Sequence, residues 1–262
     1  EIPMLERVVD VGAEGVGPAL FAGWAGEDVG YVCAAHGCRC GWEFAYMPGE
    51  PMGMPWPSPL IQVTAFSEDS TGNTYDALRP MIELGPLSDV IPKTGEEFMR
   101  LPGGGKIETV TSSAPSRLGQ RVTFCPQDEA GLYTARNGMK RVAETQWRNL
   151  AGTGGRAALT TNAWDPSENS VAQQQYESGA EDIYRQFIQP PRSLSFGSKT
   201  ERRKILRVVY PVDVLRENGG HIDLDSIEAE AAGLAETDLA QAARFFGNML
   251  VAGSGAAVEP EK

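Results

Sequence analysis

The chain has 262 residues, enough for one large domain or two small ones, and its 41% hydrophobic content is adequate for a buried core. A formal net charge of -12 argues against a broad nucleic-acid-binding face and leaves room only for a local basic patch. No apolar run is long enough to cross a membrane, no secretory signal opens the sequence, and four cysteines suit a reducing interior better than a disulfide scaffold.

Residues 1–30 are glycine-rich; within them "MLERVV" reads as the end of a helix and "ALFAGW" as a strand. Next comes "CAAHGCRC", with Cys33, His36, Cys38 and Cys40, followed by the proline-dense "MPGEPMGMPWPSP", which is expected to be irregular. Those four side chains form a set that can hold Zn2+, and a zinc knuckle would order a loop with little core of its own. The spacing C-x-x-H-x-C-x-C crowds all four into eight residues, whereas structural zinc sites usually separate two pairs of ligands. A glycine-rich loop with free thiols therefore competes with it.

"LIQVTAF" predicts a buried strand, and "SEDSTGNTYDALRPMIELG" a helix. Ser67 or Asp69 would cap that helix, and Tyr75, Leu78, Met81 and Ile82 fall at helical spacing. "LPGGGKIETV" (101–110) resembles a phosphate loop only superficially. Arg100 stands where the first glycine of G-x-x-x-x-G-K-[ST] belongs, and Ile107 replaces the hydroxyl residue. Pro102 and three glycines between strand-like runs predict a hairpin instead. "RVTFCPQDEAG" predicts a strand, with Cys125 as a buried structural thiol. "NGMKRVAETQWRNLAG" predicts a helix with Met139, Val142 and Trp147 apolar, "RAALTTNAW" a strand, and "SENSVAQQQYESG" a helix capped by Ser167. "KTERRKILRVVY" reads as a basic helix. "DLDSIEAEAAGLAETDLAQAARFFGNML" reads as one or two amphipathic helices, with Asp238 and Gln241 as a capping pair. The tail "VAGSGAAVEPEK" is expected to be disordered. Strands alternating with helices imply an α/β fold: a mostly parallel sheet flanked by helices, with its chemistry at the carboxyl ends of the strands.

At one such end Asp128 and Glu129 stand side by side. This is how phosphate-loop ATPases present a magnesium-holding acid and a water-polarising acid; the plainer alternative is two solvated acids at a strand exit. The next strand ends in Thr160, Thr161 and Asn162. Hydroxyls at that place can sense a γ-phosphate. Arg117 lies on the loop before the acids. Lys199, Arg203 and Arg207, at i, i+4 and i+8, share one helical face. That face can follow a phosphate backbone, or it is a solvated surface balancing nearby acids.

Three blocks, "LIQVTAFSEDSTGNTYDALRPMI", "LPGGGKIETVTSSAPSRLGQRVTFCPQDEAGLYTARNGM" and "RNLAGTGGRAALTTNAWDPSENSVAQQ", resemble the large terminase subunit of tailed bacteriophages, and the likeness runs from about Phe21 to Asn248. The resemblance implies an additional-strand, phosphate-loop ATPase-like core with a C-terminal helical segment, which drives DNA into a capsid. By position it makes Asp128 and Glu129 the Walker B acids, Thr160, Thr161 and Asn162 the coupling motif, and Arg117 an arginine reaching a neighbouring subunit. The implied cofactors are ATP and Mg2+. The implied partners are double-stranded DNA, the phage portal protein and the small terminase subunit, in a homo-oligomeric ring on the portal, without a membrane, in the host cytoplasm during virion assembly.

The family's phosphate loop is not found. "VGAEGVGPA" (11–19) keeps Gly12 and Gly17 at the right spacing but has Pro18 and Ala19 where lysine and a hydroxyl belong. A nuclease domain is expected after about Gly253 and does not appear. The expected organisation is a truncated N-terminal part with the Cys/His insertion (1–58), the ATPase core (59–195), a helical lid or linker (196–252) and a disordered tail (253–262). The alternative is an inactive terminase fragment or paralogue acting as a portal- or DNA-binding module.

Overall fold

The computed structural model describes the backbone of residues 20–24, 31–32, 45–46, 51–54 and 68–73, and whole residues over 58–66, 74–85, 87–89, 91, 94–95, 98–101, 104–111 and 119–253. The chain divides into two compact units, 1–128 with 141–159, and 129–140 with 160–262. Each unit is built from two separate chain segments.

The first unit is organised by a five-stranded sheet. In chain order its strands are β5 (Leu60–Thr64), β6 (Phe98–Arg100), β7 (Lys106–Val110), β8 (Phe124–Gln127) and β9 (Arg156–Leu159), and in space they run β6-β7-β5-β8-β9. β7, β5, β8 and β9 are parallel, and β6 is an antiparallel edge on β7. Two short antiparallel pairs precede it: β1 (Leu20–Trp24) with β4 (Pro51–Met54), and β2 (Tyr31–Val32) with β3 (Ala45–Tyr46). β4 corrects the expectation that the proline-dense stretch is irregular. A two-stranded ribbon leaves one side of each strand without a ladder, and Pro51 occupies the first position, where a missing N–H is tolerated.

Helices cover both faces of the sheet. On one face Ile61, Val63, Met99, Leu101 and Ile107 pack against Tyr75 and Ile82 of α1 (Glu68–Glu83). Met81 is 68% exposed instead of joining that stripe. At 100° per residue it points about 100° away from Ile82 and well off the line of Tyr75 and Leu78. Asp69 lies inside the helix rather than capping it, and Ser67 falls outside the described residues. On the other face Leu60, Val122 and Cys125 pack against Leu150 and Trp147 of α2 (Met139–Thr153).

The second unit is mainly helical. It contains α3 (Val171–Glu177), α4 (Lys199–Val209), α5 (Leu224–Thr237) and α6 (Leu239–Phe245). Its core gathers Phe196, Ile205, Leu206, Ala231, Ala242 and Ala243. Asp238 accepts from the Gln241 N–H at 2.8 Å and caps α6, as the sequence predicts. The cap of α3 is Ser170, whose hydroxyl accepts from the Gln173 N–H, and not Ser167. Ser167 is taken by the Asp165 turn, giving both its N–H and its hydroxyl to Asp165 Oδ1. Among the described residues no helix is long and apolar enough to cross a membrane.

Candidate functional site

The carboxyl ends of β5 and β8 lie together in the first unit. The Asp128 N–H donates to the carbonyl of Thr64 at 2.8 Å, which ties the first acid to the end of the neighbouring strand. Pro126 stands within β8 although it has no N–H to give. The ladder to β5 runs through Ile61 with Phe124 and Thr64 with Gln127, on either side of it.

Glu129 opens the second unit in the left-handed conformation, with φ 55° and ψ 36°. Asparagine reaches this region at low cost, and among the described residues Asn169 and Asn248 also adopt it. A glutamate has no such local compensation, so the structure around it must hold it there. Part of that hold is visible within the second unit. A 3-10 turn over Ala130–Leu132 follows Glu129. Its Ala130 N–H donates to the Thr160 carbonyl at 3.0 Å, and its Gly131 N–H to the Thr161 hydroxyl at 3.0 Å. The Thr161 hydroxyl in turn donates to the Asn162 carbonyl at 2.8 Å. A Cβ at position 131 would meet Thr161 Oγ1 at 2.4 Å, so this approach requires glycine. The structure thus brings the turn after Glu129 onto Thr160, Thr161 and Asn162. It also commits the Thr161 hydroxyl to holding that turn.

The side of the sheet that α2 covers carries what sequence reading passed over. Gln62, Thr64, Glu108, Gln127 and Gln146 are buried. Gln127 donates to Gln146 Oε1 at 2.8 Å; Gln146 Nε2 donates to Thr64 Oγ1 at 2.7 Å and to Gln62 Oε1 at 3.1 Å. Gln62 donates to Glu108 Oε1 at 2.9 Å, and Lys106 closes the chain on Glu108 Oε2 at 2.6 Å. The available signal was polar residues at i and i+2, Gln62 and Thr64, inside an otherwise apolar strand.

"LPGGGKIE" is a hairpin, as predicted. β6 and β7 are antiparallel, the Leu101 N–H donates to the Gly105 carbonyl, and Gly104 has φ 85°. The Lys106 ammonium is committed to Glu108 and holds no phosphate loop together.

No family model matches the chain. The Gene 13 protein of Mycobacterium phage D29 is 29% identical over 136 residues, covering 49% of this chain and 22% of that protein. The Gene 13 protein of Mycobacterium phage L5 is 28% identical over 137 residues, covering 49% of this chain and 23% of that protein. The chain spans about a fifth of the length of these curated relatives. The crystal structure of the HK97 bacteriophage large terminase matches with a TM-score of 0.57 at 13% identity, over 73% of this chain and 40% of that one. The chain has a large-terminase fold.

In this terminase fold the remaining predicted residues are placed unevenly. Arg117 and the cluster Cys33, His36, Cys38 and Cys40 lie outside the described residues. Among the described residues no group of three or more His, Cys, Asp or Glu gathers as a metal-binding set. Lys199, Arg203 and Arg207 share one exposed face of α4, where Arg203 pairs with Asp225 at 2.5 Å. Cys125 is fully buried, and burial pushes its thiol well above the ordinary value.

Proposed function

We propose that this chain is the ATPase portion of a bacteriophage DNA-packaging motor, coupling ATP hydrolysis to DNA translocation into the capsid. The observation that carries the reading is the pair Asp128–Glu129 at the end of a parallel strand, in a terminase fold, with Glu129 held left-handed and its turn fastened to Thr160 and Thr161. Glu129, half-buried, precedes the turn that Thr160 and Thr161 fasten, and a carboxylate such as Asp128 is the kind of oxygen donor Mg2+ takes. In this reading Asp128 holds Mg2+ through its water shell, and Mg2+ when bound neutralises phosphate charge. Glu129 orients the attacking water. Thr160, Thr161 and Asn162 register the state of the nucleotide, and Arg117 serves the site of a neighbouring subunit in a ring on the portal protein. Lys199, Arg203 and Arg207 supply a local basic face for double-stranded DNA. The small terminase subunit is the further partner, and the host cytoplasm the place. Zn2+ at Cys33, His36, Cys38 and Cys40 would be structural.

A second reading has its own support. In the glycine-rich stretch most like a phosphate loop the chain makes a hairpin at Gly104, and Lys106 pairs with Glu108. The second reading is a chain that keeps the fold and binds portal or DNA without turnover.

Nucleotide assays on the protein made from the whole reading frame separate the two. Under the first reading the wild type hydrolyses ATP, and Glu129→Gln binds ATP without hydrolysing it. Arg117→Ala loses roughly 10³- to 10⁵-fold in rate, partly restored by mixing with Glu129→Gln. Wild-type protein that engages the portal or DNA but turns over no ATP supports the second.

A further inference from the structure

Three of the four parallel strands carry buried polar side chains on the α2 side, where the opposite face is Ile61, Val63 and Ile107. Apolar residues of the same volume would pack there at no desolvation cost. A buried carboxamide left partly unsatisfied carries an uncompensated desolvation cost. Gln127 Oε1 is such an atom, buried with no hydrogen-bond partner among the described residues. Stability alone therefore does not account for the arrangement, and its geometry indicates a different service. The carboxamides point one way, from Gln127 through Gln146 and Gln62 to the Glu108 carboxylate. A hydrogen-bond chain ending on an anion strengthens each of its links. Gln146 is the branch point. From α2 its Oε1 accepts from Gln127, the residue before Asp128, and its Nε2 reaches both Thr64, the last residue of β5, and Gln62.

We propose that Gln146 is a positioning residue that clamps the carboxyl end of β8 to that of β5 and so fixes where Gln127 and Asp128 sit. The carboxamide suits the task because it donates to one strand while accepting from the other. A carboxylate accepts only, and a thioether donates nothing and accepts only weakly. Ladder bonds alone hold this end weakly, since Pro126 removes a donor just before Gln127. The consequence for catalysis rests on the reading of Asp128 and Glu129 given above, whereas the clamp itself does not.

Amide hydrogen exchange on the 262-residue chain tests the clamp without nucleotide. The reporter is the Asp128 N–H, which is bonded to Thr64. Gln146→Met nearly keeps volume and removes both donors to β5 and the carboxamide acceptor for Gln127; Gln146→Glu keeps an acceptor for Gln127 and loses the donors to β5. Both are expected to speed Asp128 exchange about tenfold or more while the Val63 and Ile107 amides stay near wild type. Thr64→Val, which removes only one hydroxyl, should shift the same amide in the same direction and serves if the Gln146 variants do not fold. Wild-type exchange at Asp128 in folded Gln146→Met, or in Thr64→Val, overturns the proposal. In the whole reading frame Gln146→Met should lower kcat about tenfold or more with KM for ATP nearly unchanged. Accelerated exchange in a protein whose wild type shows no turnover would retire the ATPase reading and leave the clamp standing. Unchanged exchange retires the clamp whatever the turnover.

Discussion

Glu129 is the residue where local chemistry and fold disagree most. Nothing in "PQDEAG" asks for a left-handed backbone at a glutamate, and an L-residue there costs about 1–2 kcal/mol relative to the right-handed region. The bonds from Ala130 and Gly131 to Thr160 and Thr161 help to maintain it. A glycine at that position escapes the steric cost. Glu129→Gly is therefore expected to be more stable than Glu129→Ala by about 1 kcal/mol in urea unfolding, although it gives more freedom to the unfolded chain. Equal stabilities would mean that φ 55° is not what the position demands. If Glu129 also orients water, both variants lose hydrolysis, which separates the backbone requirement from the side chain's role.

At the scale of elements, the helices of the second unit are joined by a pair that sequence periodicity does not show. Arg202 of α4 meets Glu228 of α5 at 3.3 Å, both nearly buried, and Arg202 also donates to the Phe196 carbonyl at 3.1 Å. In the sequence Arg202 is one more cation in "KTERRK". Only the packing of Ile205 and Leu206 into the core turns it inward and leaves Lys199, Arg203 and Arg207 outside. Removing one partner strands a buried charge, so Arg202→Ala or Glu228→Ala should lower stability by about 3–5 kcal/mol, read by chemical denaturation. The pair Arg202→Met with Glu228→Leu should recover most of that loss. A double variant as weak as either single one would show that the charges are not the issue.

For the molecule as a whole, Asp165 is one group through which stability depends on pH. Burial pushes its carboxyl up, but the Ser167 hydroxyl and N–H, the Gly253 N–H and the Arg244 guanidinium outweigh burial and hold it below the usual carboxylate range. A group whose folded value is depressed stabilises the fold above its unfolded value, near 3.9, and that contribution is lost as pH falls through the folded value. Wild type should therefore melt above Asp165→Asn by a constant margin from neutral pH down to about 5, and the margin should close below about 4. A margin that stays constant down to about pH 2 would show that the carboxylate charge contributes nothing.

What the sequence determined by itself were the features with short reach. Periodicity marked the buried strand and the helices, glycine chemistry marked the hairpin at Gly104, and the Asp238 cap and the burial of Cys125 were legible from their neighbours. The adjacent acids and the Thr160–Asn162 stretch could be named from their places after strands. Their tie through the turn at Gly131 could not, because it joins residues thirty positions apart. Tertiary structure alone decided the rest. Ser170 and not Ser167 caps α3 because Asp165 had already claimed the earlier serine. Gln62, Thr64, Glu108, Gln127 and Gln146 form one network because parallel pairing sets Gln62 beside Glu108 and α2 lies over their common face. Each of those residues is unremarkable in its own segment. Their meaning comes from register and packing, which depend on the free energy of the whole sheet and not on any local window of residues.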